Sequence, residues 1–170
     1  MAGYSVYETT QGTTFFITTK KANGATGGSS ADVLPNGLQE DLSQLNAVDD
    51  WVDGSCATNE ISFQGGQKSD IDVTSLCSST QEVTNGLPSP AEVTLSRNWS
   101  TDDKMLKELE KAYELNEIRG FKVQFPSGMG YAFFAEVRQT SWSIATAGKV
   151  SASYTLRLHG FPQRLGWSLT

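Results

Sequence analysis

Three consecutive runs near the end of the chain alternate apolar and polar residues with a period of two. Phe121, Val123 and Phe125 alternate with Lys122 and Gln124. Tyr131, Phe133, Ala135 and Val137 alternate with Ala132, Phe134, Glu136 and Arg138. Val150, Ala152, Tyr154, Leu156 and Leu158 alternate with Ser151, Ser153, Thr155, Arg157 and His159. Successive side chains of a strand point to opposite faces, so this spacing predicts a sheet with one buried and one polar face.

The same signals recur upstream. Thr13–Thr19, centred on Phe15, Phe16 and Ile17, has the β-branched and aromatic content of a strand. Ser55–Gln64 and Ala91–Trp99 alternate in the same way, with Ile61 and Phe63, then Val93 and Leu95, on the apolar side. Ile71–Leu76 is a shorter run, and Asn85–Pro90 carries turn chemistry. Residues 100–119 predict one flanking helix: Ser100 as N-cap, Asp102 and Asp103 at the positive end of the dipole, Gly120 after the last turn. Its apolar stripe is Leu106, Leu109, Ala112 and Tyr113. Residues 21–50 have Gly- and Ser-rich loop composition, with at most a short helical turn within 38–50. The fold class is therefore mainly β, an antiparallel sandwich or partial barrel with one helix and a long extended arm. The chain reads as a single domain over 1–170, with a short tail at 163–170.

A chain of 170 residues buries about 70% of its unfolded surface. Its hydrophobic content of 38% and charged content of 19% are both low, the balance being Ser, Thr, Gly, Asn and Gln. That mixture suits polar loops and polar contacts between subunits. The net charge of −6, with no basic run longer than Lys20-Lys21, argues against a protein that grips phosphates. The start has neither a basic segment nor an apolar run, so the expectation is a protein made in the cytoplasm without a membrane anchor. Cys56 and Cys77 are too few for a zinc site and are expected to be reduced, half-buried thiols.

No constellation for catalysis emerges. His159 lacks a nucleophile motif, and as the chain's one histidine it reads as a surface residue on a strand. Asp49-Asp50 and Asp102-Asp103 lack the spacing of a calcium loop, and Gly24–Gly28 does not lead into a phosphate-binding helix. Trp51, Trp99, Trp142 and Trp167 permit a sugar-binding platform, although scattered tryptophans more often anchor cores or interfaces. The expectation is a non-enzyme without cofactor or metal.

The segment Phe121-Lys-Val-Gln-Phe-Pro-Ser-Gly128, the following strand to Val137, and Gly148–Pro162 with its Gly-Phe-Pro exit together resemble the major tail tube proteins of long, non-contractile-tailed, lambda-like bacteriophages. The resemblance covers roughly residues 48–162, including Val48-Asp-Asp-Trp-Val52 and the single helix. It implies a virion protein that self-assembles into stacked hexameric rings, a hollow tube conducting DNA during ejection. Implied partners are other copies of the chain, a tape-measure protein, and terminator and baseplate proteins, with DNA passing without specific binding.

Under that resemblance, Glu60, Gln64, Glu136, Ser151 and Ser153 are candidates for the lumen wall, the alternative being the outer surface. Leu34, Leu38, Leu42, Leu45, Val48, Trp51 and Trp167 are candidates for contacts between subunits, because arms of this composition form no core alone. The competing readings are a tube subunit of a contractile tail or a type VI secretion system, and, in another class, a carbohydrate-binding β-sandwich.

Overall fold

The computed structural model describes residues 10–21 and 51–166. The arm expected over 21–50 therefore lies outside the described residues except for Lys21, as do Leu34, Leu38, Leu42, Leu45, Val48 and Trp167. The strands are β1 (Thr14–Lys21), β2 (Trp51–Asp53), β3 (Thr58–Gln64), β4 (Lys68–Asp72), β5 (Val83–Pro88), β6 (Glu92–Asn98), β7 (Ile118–Gln124), β8 (Gly130–Ser143) and β9 (Ser151–Leu165). Helix α1 spans Lys104–Glu114.

Seven strands form one antiparallel sheet in the order β2-β1-β7-β8-β9-β6-β3, and β4 and β5 form a separate hairpin. The two ends of the large sheet, β2 and β3, are separated in sequence only by Gly54 and the 3-10 turn Ser55–Ala57. The sheet must therefore curl until its ends approach. Phe15 N donates to Ser55 Oγ, Gly54 N donates to Phe15 O at 2.9 Å, and Thr58 Oγ1 donates to Gly54 O. No ladder joins β2 to β3, so the result is an open partial barrel.

Inside it, Phe15, Ile17, Val93, Leu95, Phe121, Phe133, Tyr154 and Leu156 form the core. Phe121 stacks between Phe15 and Phe133, at 5.9 and 5.6 Å between ring centroids. Helix α1 covers one end with Met105, Leu106, Leu109 and Ala112. Each of the three long side chains contributes about 1.5–3 kcal/mol by burial. Between β7 and β8, Gly128 N donates to Phe125 O, with Gly128 at φ 87°, the left-handed glycine expected after a tight hairpin turn.

Several expectations need correction. The helix is shorter than 100–119. Asp103, not Ser100, is the N-cap, accepting from Met105 N at 3.0 Å. The helix ends in a left-handed Asn116, with Glu117 N donating to Ala112 O and Asn116 N to Tyr113 O. That pair of bonds stops the helix early and frees Ile118–Gly120 to begin β7. Met105 joins the buried stripe, while Tyr113 is exposed.

Asn85–Pro88 is strand, not turn: it pairs with β4 through Asp70↔Asn85 and Lys68↔Pro88, and a bulge absorbs the extra residue. The shorter run is strand over Lys68–Asp72, upstream of the expected Ile71–Leu76. Lys122 is buried on the expected polar face, its ammonium 4.8 Å from the rings of both Phe16 and Trp51. Burial lowers its pKa. Ala132 and Phe134 of β8 are buried too, so the polar face is not continuous across the central strands. Cys56 and Cys77 are free but exposed, not half-buried. The Gly-Phe-Pro exit is a bulge within β9, where Gly160 (φ 80°) throws Phe161 outward before the strand continues to Leu165. The first residues of the expected tail thus belong to β9.

Candidate assembly surfaces

On β3, β6, β8 and β9 the side chains opposite the core gather into cross-strand rows. One row runs Glu60↔Ser96↔Ser153↔Ser141, and another Gln64↔Glu92↔Arg157↔Glu136. Ser151 lies beside Asn98 and Ser143. Residues in register share a face, so all five residues expected to line a lumen sit on one surface, carried by four strands from distant parts of the sequence.

The face is rich in hydroxyls, and its charges are largely compensated. Glu136 Oε1 lies 3.8 Å from Arg157 and its Oε2 3.6 Å from His159. Glu92 is paired with Arg138. Exposed pairs of this kind stabilise by at most about 1 kcal/mol. Their larger consequence is a surface whose charges are mostly paired.

The second surface is an open apolar cleft of about 890 Å³ beside the joint between β2 and β3. Phe15, Val123 and Phe133 form its floor, and Phe63 and Phe161 stand on its rim, 54% and 77% exposed. Arg164 supplies charge to its wall.

Trp51 packs edge-on against Phe16 at 6.3 Å on edge strand β2, so part of its surface is already used within the subunit. Its indole Nε1 is buried without a hydrogen-bond partner among the described residues. Trp99, just past β6, and Trp142, on β8, are exposed and flank β9 at the same end, whereas Trp51 lies on edge strand β2. His159 is 44% exposed at the bulge of β9 and meets Glu136. Among the described residues no group of three or more His, Cys, Asp or Glu could hold a metal ion. No described helix is long and apolar enough to cross a membrane.

Sequence reasoning missed the buried charges that hold these surfaces in place. Arg97 is fully buried and donates to Gly54 O, Thr58 Oγ1 and Asp103, tying β6 to the joint between β2 and β3. Arg119 is 1% exposed and donates to Glu117, Glu108 and the carbonyls of Thr18 and Thr19. The sequence trace is one of phase: Arg97 falls in step with Val93 and Leu95, and Arg119 with Phe121 and Val123, on the apolar side of their strands.

No family model matches the chain, and no curated protein does. Among solved structures, the fold is similar to a chain of the SPP1 tail tube, with a TM-score of 0.59 at 14% identity over 95% of this chain and 80% of that one. A chain from the anti-feeding prophage (AFP) baseplate gives 0.52 at 10% identity, over 71% of this chain and 87% of that one. A chain from the tail of an empty GTA particle, refined with C6 symmetry, gives 0.50 at 17%, over 63% of this chain and 81% of that one. The chain has the fold of tail tube subunits.

Proposed function

We propose that this chain is the structural subunit of a phage tail tube, a single domain whose copies form stacked hexameric rings around a channel for DNA. The observation that carries the reading is the fold shared with the SPP1 tail tube over 95% of the chain. The hydroxyl-rich sheet face supports it. A wall of Ser and Thr with internally paired charges offers phosphates no basic footing, so DNA slides past without the counterion release that drives binding. The candidate wall is the face bearing Glu60, Gln64, Glu136, Ser151 and Ser153. Edge strands β2 and β3 then pair across copies, which removes edges that otherwise invite aggregation.

In this reading residues 23–50 and the first dozen residues are arms that reach neighbouring subunits, and Trp51 and Trp167 belong to those contacts. Tape-measure, terminator and baseplate proteins are the other partners. The protein is made in the host cytoplasm and resides in the virion tail.

Electron microscopy of the concentrated protein tests the proposal. Rings or hollow tubes of uniform width are expected. A permanent monomer whose tryptophan fluorescence is quenched by glycans would replace it with the carbohydrate-binding reading. The likeness to a chain of an extracellular contractile injection system's sheath-tube complex, with a TM-score of 0.50 at 13% identity over 68% of this chain and 83% of that one, keeps a contractile machine as the second reading; a sheath gene beside this one, in place of a tape-measure gene alone, would favour it.

A further inference from the structure

The β4–β5 hairpin carries apolar surface with no place to go in its own subunit. Ile71, Val73, Leu76, Val83 and Leu87 are 49%, 48%, 108%, 51% and 86% exposed. A two-stranded hairpin in water is marginal, and clustered exposed apolar side chains mark an interaction site. Its tip is nevertheless well fixed. Thr74 N donates to Asp72 Oδ1, Val73 N to Glu82 O, Glu82 N to Thr74 Oγ1, and Ser75 N to Ser78 Oγ. A loop ordered before docking loses little entropy on docking.

We propose that this hairpin seats its tip, Val73–Leu76, in the open apolar cleft of a second copy of the chain. The inference rests on the self-assembly reading above and deepens it. Three observations select a second copy as the occupant. The hairpin does not fold over its own cleft, since Val73 and Leu76 remain exposed. Five exposed apolar side chains gathered on one hairpin, two of them at its tip, exceed the single scattered exposures normal for a monomer's surface. The charges also match: Asp70, Asp72 and Glu82 outweigh Lys68 on the hairpin, and the cleft wall presents Arg164 to the acids. Because hairpin and cleft are different surfaces, the contact is head-to-tail, the kind that closes rings or propagates tubes.

The two cysteines of the chain make the test direct. Cys77 lies in the hairpin loop, and Cys56 lies between Ser55 and Thr58 of the cleft wall; both are exposed. A Cys56→Ser copy and a Cys77→Ser copy are mixed, assembled, and treated with a short bismaleimide. A Cys56–Cys77 peptide linking the two copies is expected by mass spectrometry. In parallel, Leu76→Asp, at a fully exposed position, should raise the concentration needed for assembly about tenfold or more, with circular dichroism unchanged. Tubes from Leu76→Asp at the wild-type concentration, without the cross-link in the mixed sample, would overturn the docking and leave the tube reading standing. No multimer of the wild-type chain under any condition would overturn both.

Discussion

Arg97 on β6 donates from Nη2 to Asp103 Oδ2 at 2.5 Å, and the other oxygen of that carboxylate caps helix α1 at Met105 N. One charge pair therefore couples the sheet to the start of the helix, at the joint where β2 passes to β3. Arg97 Nη1 adds Gly54 O and Thr58 Oγ1.

Removing one member of such a pair strands the other in the interior. Arg97→Ala should cost about 3–5 kcal/mol of stability. Asp103→Asn, which keeps a capping oxygen but loses the charge, should cost less. Urea denaturation of the two variants checks the order; equal small losses would mean the pair is not what anchors the joint.

Gly54 has no room for a side chain. A Cβ there would lie 1.8 Å from Met105 Sδ and 2.6 Å from Arg97 Nη1. Gly54→Ala should therefore cost about 1–3 kcal/mol through overpacking. Combining it with Met105→Ala should give less than the sum of the two losses, because the truncated methionine makes the space. Thermal melts of the single and double variants measure that coupling.

Tyr154 is buried and donates to Glu110 Oε1 at 2.6 Å. Burial first, then the hydrogen bond and the charge of Glu110, raise its pKa beyond the ordinary range. The folded state thus keeps a proton that the unfolded state loses near pH 10. The resulting stability is fully present below about pH 10 and is lost as pH climbs toward the folded value. Tyr154→Phe should cost about 1 kcal/mol at neutral pH and flatten the alkaline part of the stability profile. Ultraviolet titration should show a phenolate step near pH 10 of the same size in both proteins.

Ser151 and Ser153 face away from the core, on the side of the sheet that carries Glu136 and Arg157. If their face lines the channel, Ser151→Lys/Ser153→Lys tubes should form normally yet bind DNA, with affinity falling steeply as salt rises. Lysine tubes that ignore DNA at low salt would put this face on the outside.

Deleting residues 23–36 should leave a folded subunit that no longer polymerises. Tubes of normal length from the deletion, seen by negative stain, would remove the arm from the assembly.

The alternating runs of β7, β8 and β9, the Phe125–Gly128 turn, the strands at Thr14 and Glu92 and the presence of one helix were all legible in the sequence. Each is a local consequence of side-chain period or of a turn residue. So was the likeness to tail tube proteins, carried by the same closing strands. The period of two says which residues share a face, but not which strands lie side by side, nor what covers the second face. Only the tertiary structure decided that Lys122 is enclosed by Phe16 and Trp51. The period puts Arg97 and Arg119 in phase with their apolar neighbours, but only the tertiary structure brings the distant groups that satisfy them there, Gly54 O for Arg97 and Thr18 O for Arg119. The same holds for Asn85-Gly86-Leu87-Pro88, whose turn chemistry yields to the ladder with β4. Local preferences are worth about 1 kcal/mol each, and cross-strand pairing between distant residues outweighs them. The sequence thus set the periods and the composition of the surfaces. The curl of the sheet brought Glu60, Gln64, Glu136, Ser151 and Ser153 onto one face, because register couples residues that the sequence keeps up to about ninety positions apart.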